Sequence, residues 1–489
     1  MQLIISTAMG DCPSLASAIA RFSNAGLLVW LDHTNTTIPR NEPIISTLHK
    51  IPESSQITFI IAPSKECIIL KDIPKRMFRV IERGNLEEDA GQAQTVRLDN
   101  FGQLEGLLTL EKYTGLSHYL ESYGWLANDF RDAILKRFDS SLRYLQNARC
   151  AVIFGAQRLG ETVLQSLQTQ GVSVKAFVDN NPKKHGTTLH GVPVCALHQI
   201  TDKEIPIVIA TTRFSNSIAN QLENERFVHA LPYSVMSLVD PTLYPDEIPY
   251  IDIQEDFARN MAEYIGLFLC LADEKSRKVL DGLLNYRQSY DTRCACAIAD
   301  EYSRQYFDEE LIKFSGSDVF VDLGGYDGDT AEKFIQYADG AFKKIYIFEP
   351  DSKLLELAAH RLKDVKSSIE FISAGAYSKD GELRFSATGR TNGSITDDGE
   401  IVIPVHKVDS VVTDPPTLIK MDIEGAETEA LHGASNTLRT VQPKLAIAAY
   451  HFASDLWKLV NLVREINPSY KFYLRHYSEN GLESVIYAI

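Results

Sequence analysis

The sequence predicts an α/β protein whose last third is a mostly parallel sheet. Three observations carry that class. Residues 317–489 alternate apolar strand-like runs with amphipathic helical segments, and such alternation implies parallel strands joined by helical crossovers. A second, shorter alternation occupies residues 148–240. The chain then closes with YKFYLRHYS, the turn ENG and LESVIYAI, an antiparallel hairpin that adds one reversed strand at or near the sheet edge.

Taken in order, residues 1–145 open with the strand-like runs LIIST, GLLVWLD and ITFIIA. The helix-like SLASAIARFSNAG lies between the first two, which reads as a βαβ start. Aromatic-rich helical patterns such as HYLESYGWLANDFRDAILKRF come next. Nothing in this N-terminal α/β region spells out a chemistry. Residues 148–245 read as a small Rossmann-like domain: CAVIFGA is a strand, RLGETVLQSLQTQG a helix ending on glycine, VSVKAFVDN a second strand and IPIVIATT a third. The proline-rich DPTLYPDEIPY at 240–250 is a linker. A helical connector spans 252–314. In 315–489 the strands are DVFVDLG, KKIYIFEP, IEFISAGA, TLIKMDIEG and KLAIAAYH, with SKLLELAAHRLK, AETEALHGASNTL and LWKLVNLVREI as helices. A parallel sheet with one reversed C-terminal strand is the arrangement of class I methyltransferases.

Composition narrows the function. The chain has 489 residues, 44% hydrophobic and 23% charged, enough for several domains with sizeable cores. A formal net charge of -16 argues against a general nucleic-acid binder, because phosphate contact needs clustered Lys and Arg. The start MQLIISTAMGDC has no basic segment before its short apolar run, so no secretory signal is expected. No apolar stretch is long enough for a membrane span. Seven cysteines are scattered, and only Cys294 and Cys296 are close; free buried thiols in a reducing cytoplasm are the expectation.

Two glycine-rich turns come directly after strands. In FGAQRLG, Gly155 to Gly160, Gln157 occupies the position where a dinucleotide fingerprint has its central glycine, and a Cβ there keeps backbone from the pyrophosphate. Asp179 ends the next strand, about where a ribose-binding acid belongs, and Arg158 could face a phosphate. The plain alternative is a tight turn with close helix packing. The second turn, DLGGYDGDT at 322–330, poses the opposite problem, for it carries Asp322, Asp327 and Asp329. A pyrophosphate ~5 Å from each carboxylate would meet about 3 kcal/mol of repulsion per charge pair at an effective dielectric of ~20. S-adenosylmethionine has no phosphate and carries a sulfonium and an ammonium. Acidic residues suit those cations, and glycine amides could approach its carboxylate. Glu349, just past the second strand, is placed for the ribose hydroxyls. Asp327 or Asp329 is expected to cap the next helix whatever the ligand. Capping does not explain why Asp322, Glu349 and Asp422 all fall at ends of successive predicted strands, where open α/β sheets bind ligands.

From about Asp273 onward the ordered motifs VDLGGYDGDT, IFEPD, AGAYSKDGELRF, IKMDIEGAETEALHGA, AIAAYHFASDLW and YLRHYS resemble the FkbM-type methyltransferases. The resemblance implies transfer of a methyl group from S-adenosylmethionine, usually to a hydroxyl and often of a sugar or glycan. By motif position it places the methionine part of the cofactor at Asp322, Gly324 and Gly325, with Asp329 nearby. It places the ribose at Glu349 and the adenine at Ser373 and Ala374, and puts Lys420, Asp422 and Glu424 on the segment facing the reacting centre. On a strand, alternate residues share a face, so Asp422 and Glu424 could point together with Lys420. Asp422 is expected beside the sulfonium and His451 or Glu424 as the proton acceptor; His451 could equally be a hydrogen-bonded structural histidine. Glu427 reads as a helix first-turn acid, and His476 as either an acceptor-side residue or a hairpin residue. No spacing demands a metal and none is expected, although a divalent ion between Asp422, Glu424 and a neighbour is conceivable. The expected partner is a small-molecule or glycan acceptor, with no nucleic acid. Two other readings stay open: a nucleotide-sugar or NAD-dependent enzyme using the Gly155–Gly160 turn, and a non-enzymatic glycan- or partner-binding protein.

Overall fold

The computed structural model describes residues 112–122, 126–211, 213–245, 253–365, 368–385 and 401–489, together with three strands nearer the N-terminus. The chain forms two compact units: residues 1–139 with 252–271 and 280–294, and residues 140–251 with 272–279 and 295–489.

In the first unit, β1 (Gln2–Thr7), β2 (Ile57–Ala62) and β3 (Val96–Arg97) form an antiparallel sheet in that order. LIIST and ITFIIA are therefore strands; the expected strand GLLVWLD and the helix before it lie outside the described residues. The expected helical connector begins here with helices Ile253–Arg259 and Met261–Cys270. Tyr119, Phe130, Phe257 and Tyr264 are buried against one another as the unit's aromatic core.

The second unit holds both strand–helix alternations. β4 (Cys150–Phe154), β5 (Ser173–Val178), β6 (Thr188–Leu189), β7 (Val192–Cys195), β8 (Ile207–Ile209) and β9 (Ala230–Pro232) pair in the order β6-β7-β5-β4-β8-β9. All but β6 run parallel. Val152, Phe154, Val178, Ile207 and Ile209 form the core of this small domain.

The larger domain contains β10 (Val319–Leu323), β11 (Lys344–Phe348), β12 (Ser368–Ile372), β13 (Gly375–Ala376), β14 (Gly381–Phe385), β15 (Ile401–His406), β16 (Leu418–Met421), β17 (Lys444–Ala448), β18 (Phe472–His476) and β19 (Ser484–Ala488). Its main sheet has the order β12-β11-β10-β16-β17-β19-β18, and β13-β15-β14 form a small side sheet. β19 is antiparallel to both neighbours and is the single reversed strand, one place in from the edge. Every residue of β10 is buried, as a strand covered on both faces requires. Strand order reverses at β10, between β11 and β16, and this is where open sheets leave a crevice at the strands' C-terminal ends. The edge strand is secured by Arg475. Its guanidinium is buried and bonds Asp308 at 3.0 Å, Asp273 at 2.8 Å and Ser276 at 2.9 Å.

Candidate active site

The turn after β10 is shaped by close backbone approach. Gly324 has φ +80°, and a Cβ on it would stand 1.9 Å from the carbonyl oxygen of Asp422. A Cβ on Gly325 would stand 2.2 Å from Ile347 Cγ2. Both glycine amides donate to Phe348 O, at 3.0 and 2.9 Å. This corrects the expectation that those amides receive a ligand carboxylate: they tie the turn to β11, and the missing side chains let it press against the loop after β16. The next helix, Asp329–Tyr337, is capped by Gly328 in the left-handed region with no side-chain cap. Neither expected aspartate cap forms. Asp327 pairs instead with Arg361, and exposed Asp329 sits inside the helix's first turn.

What the turn leaves free is a carboxylate. Asp322 is fully buried, and neither of its oxygens has a hydrogen-bond partner, although Lys420 Nζ stands 3.0 Å away. Burial pushes its pKa up to about 6, against the pull of Lys420. Lys420 is equally buried and donates to Gly324 O at 2.6 Å. Burial opposes its charge, but Asp322 and Asp422 outweigh burial and raise its pKa. At the end of β11, Glu349 accepts from the amides of Tyr326 at 3.0 Å and Asp351 at 2.9 Å. These two bonds fix the carboxylate beside the glycine turn and leave it further lone pairs for a ligand hydroxyl. Past β12, Ser373 is exposed and Ala374 buried.

The third acidic position is the hub of the site. β16 ends at Met421, so strand alternation does not reach Asp422 or Glu424. Lys420 turns toward Asp322, and Glu424 lies on a left-handed residue (φ +55°) with its side chain exposed. Asp422 accepts from the hydroxyls of Tyr306 at 2.8 Å and Tyr450 at 3.2 Å. His451, at the end of β17, is buried with Nε2 3.3 Å from Asp422 and 3.7 Å from Glu424. Its Nδ1 is 3.0 Å from Glu427, which also accepts from the amide of Ile423 at 2.9 Å. Burial opposes the charge on Asp422, yet His451 and Lys420 hold it well below the usual carboxylate range. Burial likewise disfavours a charged His451, but Glu427 and Asp422 raise its pKa well above the ordinary histidine value. His451 therefore keeps its proton at neutral pH, which leaves Glu424 as the carboxylate open to the acceptor side.

Several partners carried no sequence signal. Tyr306, Tyr450 and Glu483 come from three separate segments; burial and the Asp422 charge raise the pKa of Glu483. Glu427 does more than a first-turn acid, because its buried carboxylate reaches His451. His476 is a hairpin residue, fully buried with Nδ1 3.0 Å from Ser484 Oγ. In the small domain, Gly155 (φ +116°) and Gly160 are held by backbone contacts. Asp179 accepts from the Ala156 and Asn181 amides and from Lys184 Nζ at 2.8 Å. Its carboxylate is spent inside the turn.

The chain is similar to known proteins over this region. Residues 322–476 match the family model of the methyltransferase FkbM domain. The C-terminal part of the chain is thus similar to the methyltransferase FkbM domain. Residues 147–229 match the C2185-like N-terminal family. The structure of methyltransferase FkbM from Methylobacillus flagellatus KT is similar with a TM-score of 0.58 at 25% identity, over 78% of this chain and 100% of that one. A putative rRNA-methylase from Clostridium thermocellum has a TM-score of 0.26 at 11% identity, over 37% of this chain and 88% of that one. Fibrillarin from Aeropyrum pernix, solved with bound S-adenosyl-L-methionine, has a TM-score of 0.27 at 12% identity, over 39% and 76%. Likenesses of that size carry no argument. Among curated proteins nothing matches. Within the matched residues lie all the strand-end carboxylates described above, Asp322, Glu349 and Asp422, and the turns that carry them. Among the described residues no helix is long and apolar enough to cross a membrane.

Proposed function

We propose that this protein transfers a methyl group from S-adenosylmethionine to a hydroxyl of a sugar, glycan or related small molecule. The observation that supports it best is Asp322: a buried carboxylate with no hydrogen-bond partner, beside a glycine turn and one strand from Glu349. An unsatisfied buried carboxylate is costly, and a cationic ligand without phosphates relieves that cost. Asp322 would hold the cationic end of the methionine part and Glu349 the ribose, with Ser373 and Ala374 flanking the base. When bound, the cofactor supplies an electrophilic methyl on sulfur. The chain's own work is alignment, exclusion of water and acceptance of one proton. Asp422, held by Tyr306 and Tyr450, fixes negative charge beside the reacting centre. In that transfer the acceptor hydroxyl would take the methyl group, and the electron pair of the carbon–sulfur bond would remain with the departing cofactor. The hydroxyl proton passes to Glu424, the exposed carboxylate next to His451.

The test is calorimetric titration of the full chain with S-adenosylmethionine and then NAD, repeated on Asp322→Asn. One cofactor per chain, with affinity lost in the variant, is the expected result. Binding of NAD alone would sink the methyl-transfer reading and move attention to the Gly155–Gly160 turn.

A further inference from the structure

Around His451 the structure holds an arrangement of which the transfer chemistry uses only Asp422. Asp422 lies just past β16, Glu427 opens the helix Glu427–Gly433, and His451 lies just past β17. One ligand-type atom from each of the three lies within 4.8 Å of the others. His451 is 3% exposed and Glu427 1%. Neither ring nitrogen of His451 makes a hydrogen bond, although carboxylate oxygens stand 3.0 and 3.3 Å away. The two carboxylates flank different ring nitrogens, Glu427 at Nδ1 and Asp422 at Nε2, so an ion on one nitrogen has one carboxylate beside it and draws the second from within the 4.8 Å that spans the three donors. Buried polar atoms left unsatisfied call for a missing partner.

The charge balance agrees. Lys420 bonds Gly324 O and pairs with Asp322. Asp422, Glu424 and Glu427 face one imidazole, with Lys420 acting also on Asp422. Two carboxylates with one imidazole make a mixed oxygen–nitrogen donor set, which suits a hard divalent cation and, because of the nitrogen, Mn²⁺ somewhat better than Mg²⁺.

We propose that Asp422, Glu427 and His451 bind one divalent cation of the Mg²⁺/Mn²⁺ class, placed to hold the acceptor oxygen at the methyl-transfer site. The ion takes one ring nitrogen and leaves the other against a carboxylate, the usual outer-shell support of a ligating histidine. Polarised by the cation, the acceptor hydroxyl loses its proton to Glu424 more readily. The role of the ion rests on the methyl-transfer reading; its binding does not.

The test uses the full chain stripped with chelator and titrated with Mn²⁺, monitored by electron paramagnetic resonance of the free ion, with S-adenosylmethionine binding measured in parallel. One Mn²⁺ per chain is expected, weakened about tenfold or more in both His451→Ala and Glu427→Gln. Should either buried variant unfold by circular dichroism, Asp422→Asn, whose side chain is partly exposed, carries the same expectation. A folded wild-type chain with no saturable Mn²⁺ site, or with a site unmoved by these substitutions, overturns the proposal. If S-adenosylmethionine still binds in that case, methyl transfer stands without the ion. If Mn²⁺ binds at this cluster and S-adenosylmethionine does not bind, the cation site stands and the function reading falls.

Discussion

Asp322 joins two opposing demands in one side chain. Burial raises its pKa to about 6, so its folded pKa exceeds the ordinary carboxylate value. Its contribution to stability is therefore fully present below the unfolded value and lost as pH rises through about 6. At neutral pH the group is ionised at a cost to the fold, and a cationic ligand recovers that cost. S-adenosylmethionine affinity should accordingly fall as pH drops below about 6, by up to roughly tenfold per unit if the protonated form does not bind. Titrations between pH 5 and 8 would read this, and Asp322→Asn should be weak and flat across the range. A wild-type affinity with no inflection would mean that Asp322 does not face the cofactor's charge. Lys420 makes the complementary case. Lys420→Met leaves a buried carboxylate without its counter-ion 3.0 Å away, which should cost about 3–5 kcal/mol in denaturant unfolding at pH 7. Replacing both partners, as in Asp322→Leu with Lys420→Met, should cost less than Lys420→Met alone.

At the scale of elements, the turn after β10 is set by steric approach. Gly324 and Gly340 both have positive φ, +80° and +71°, but a Cβ at 324 meets the Asp422 carbonyl at 1.9 Å while one at 340 meets nothing within 4 Å. Gly340→Ala should therefore cost only about 1 kcal/mol of left-handed strain. Gly324→Ala should cost several times as much and displace Asp422, weakening the cofactor as well. Equal effects in thermal unfolding and cofactor titration would refute the steric account. The strands of the main sheet were legible because each is a short apolar run between turn residues, and Asp322, Glu349 and Asp422 because each breaks such a run at its end, whereas β6, β7, β9, β14 and β15 were not read as strands. Glu427 and Tyr306 were not legible. Glu427 has the position of an ordinary first-turn acid, and only the fold of the loop before it turns the carboxylate inward to His451. Tyr306 lies near the end of the predicted helical connector, at φ +67°, with no period to mark it. The aspartate cap failed for a related reason: the turn needs its left-handed residue at the cap position, and glycine fills that need.

Within the second unit, the helix after β8 meets the turn between β18 and β19. Ser217 N and Oγ bond Glu479 at 2.9 and 2.5 Å. Arg213 lies 4.6 Å over the ring of Tyr302, a tyrosine whose pKa is raised by burial and then by Glu483, Asp329 and Asp422. The surroundings of Tyr302 thus set Arg213 and Lys333 against the charges of Glu483, Asp329 and Asp422. A polynucleotide would bring many phosphates to that face and to a chain of net charge -16, whereas phosphate contact needs clustered Lys and Arg. A small, neutral, hydroxyl-rich acceptor brings no such repulsion. Fluorescence anisotropy with labelled single-stranded and duplex RNA at ~0.15 M salt should therefore show no binding tighter than the ~10⁻⁴ M limit of non-specific contact. Micromolar binding with a steep salt slope would reveal a basic groove and exclude the small-acceptor reading. Binding without a salt slope would require direct contacts to bases, for which the described face offers Tyr302 and Tyr326 as exposed rings. Substituting either tyrosine by Ala would then decide between stacking and electrostatics.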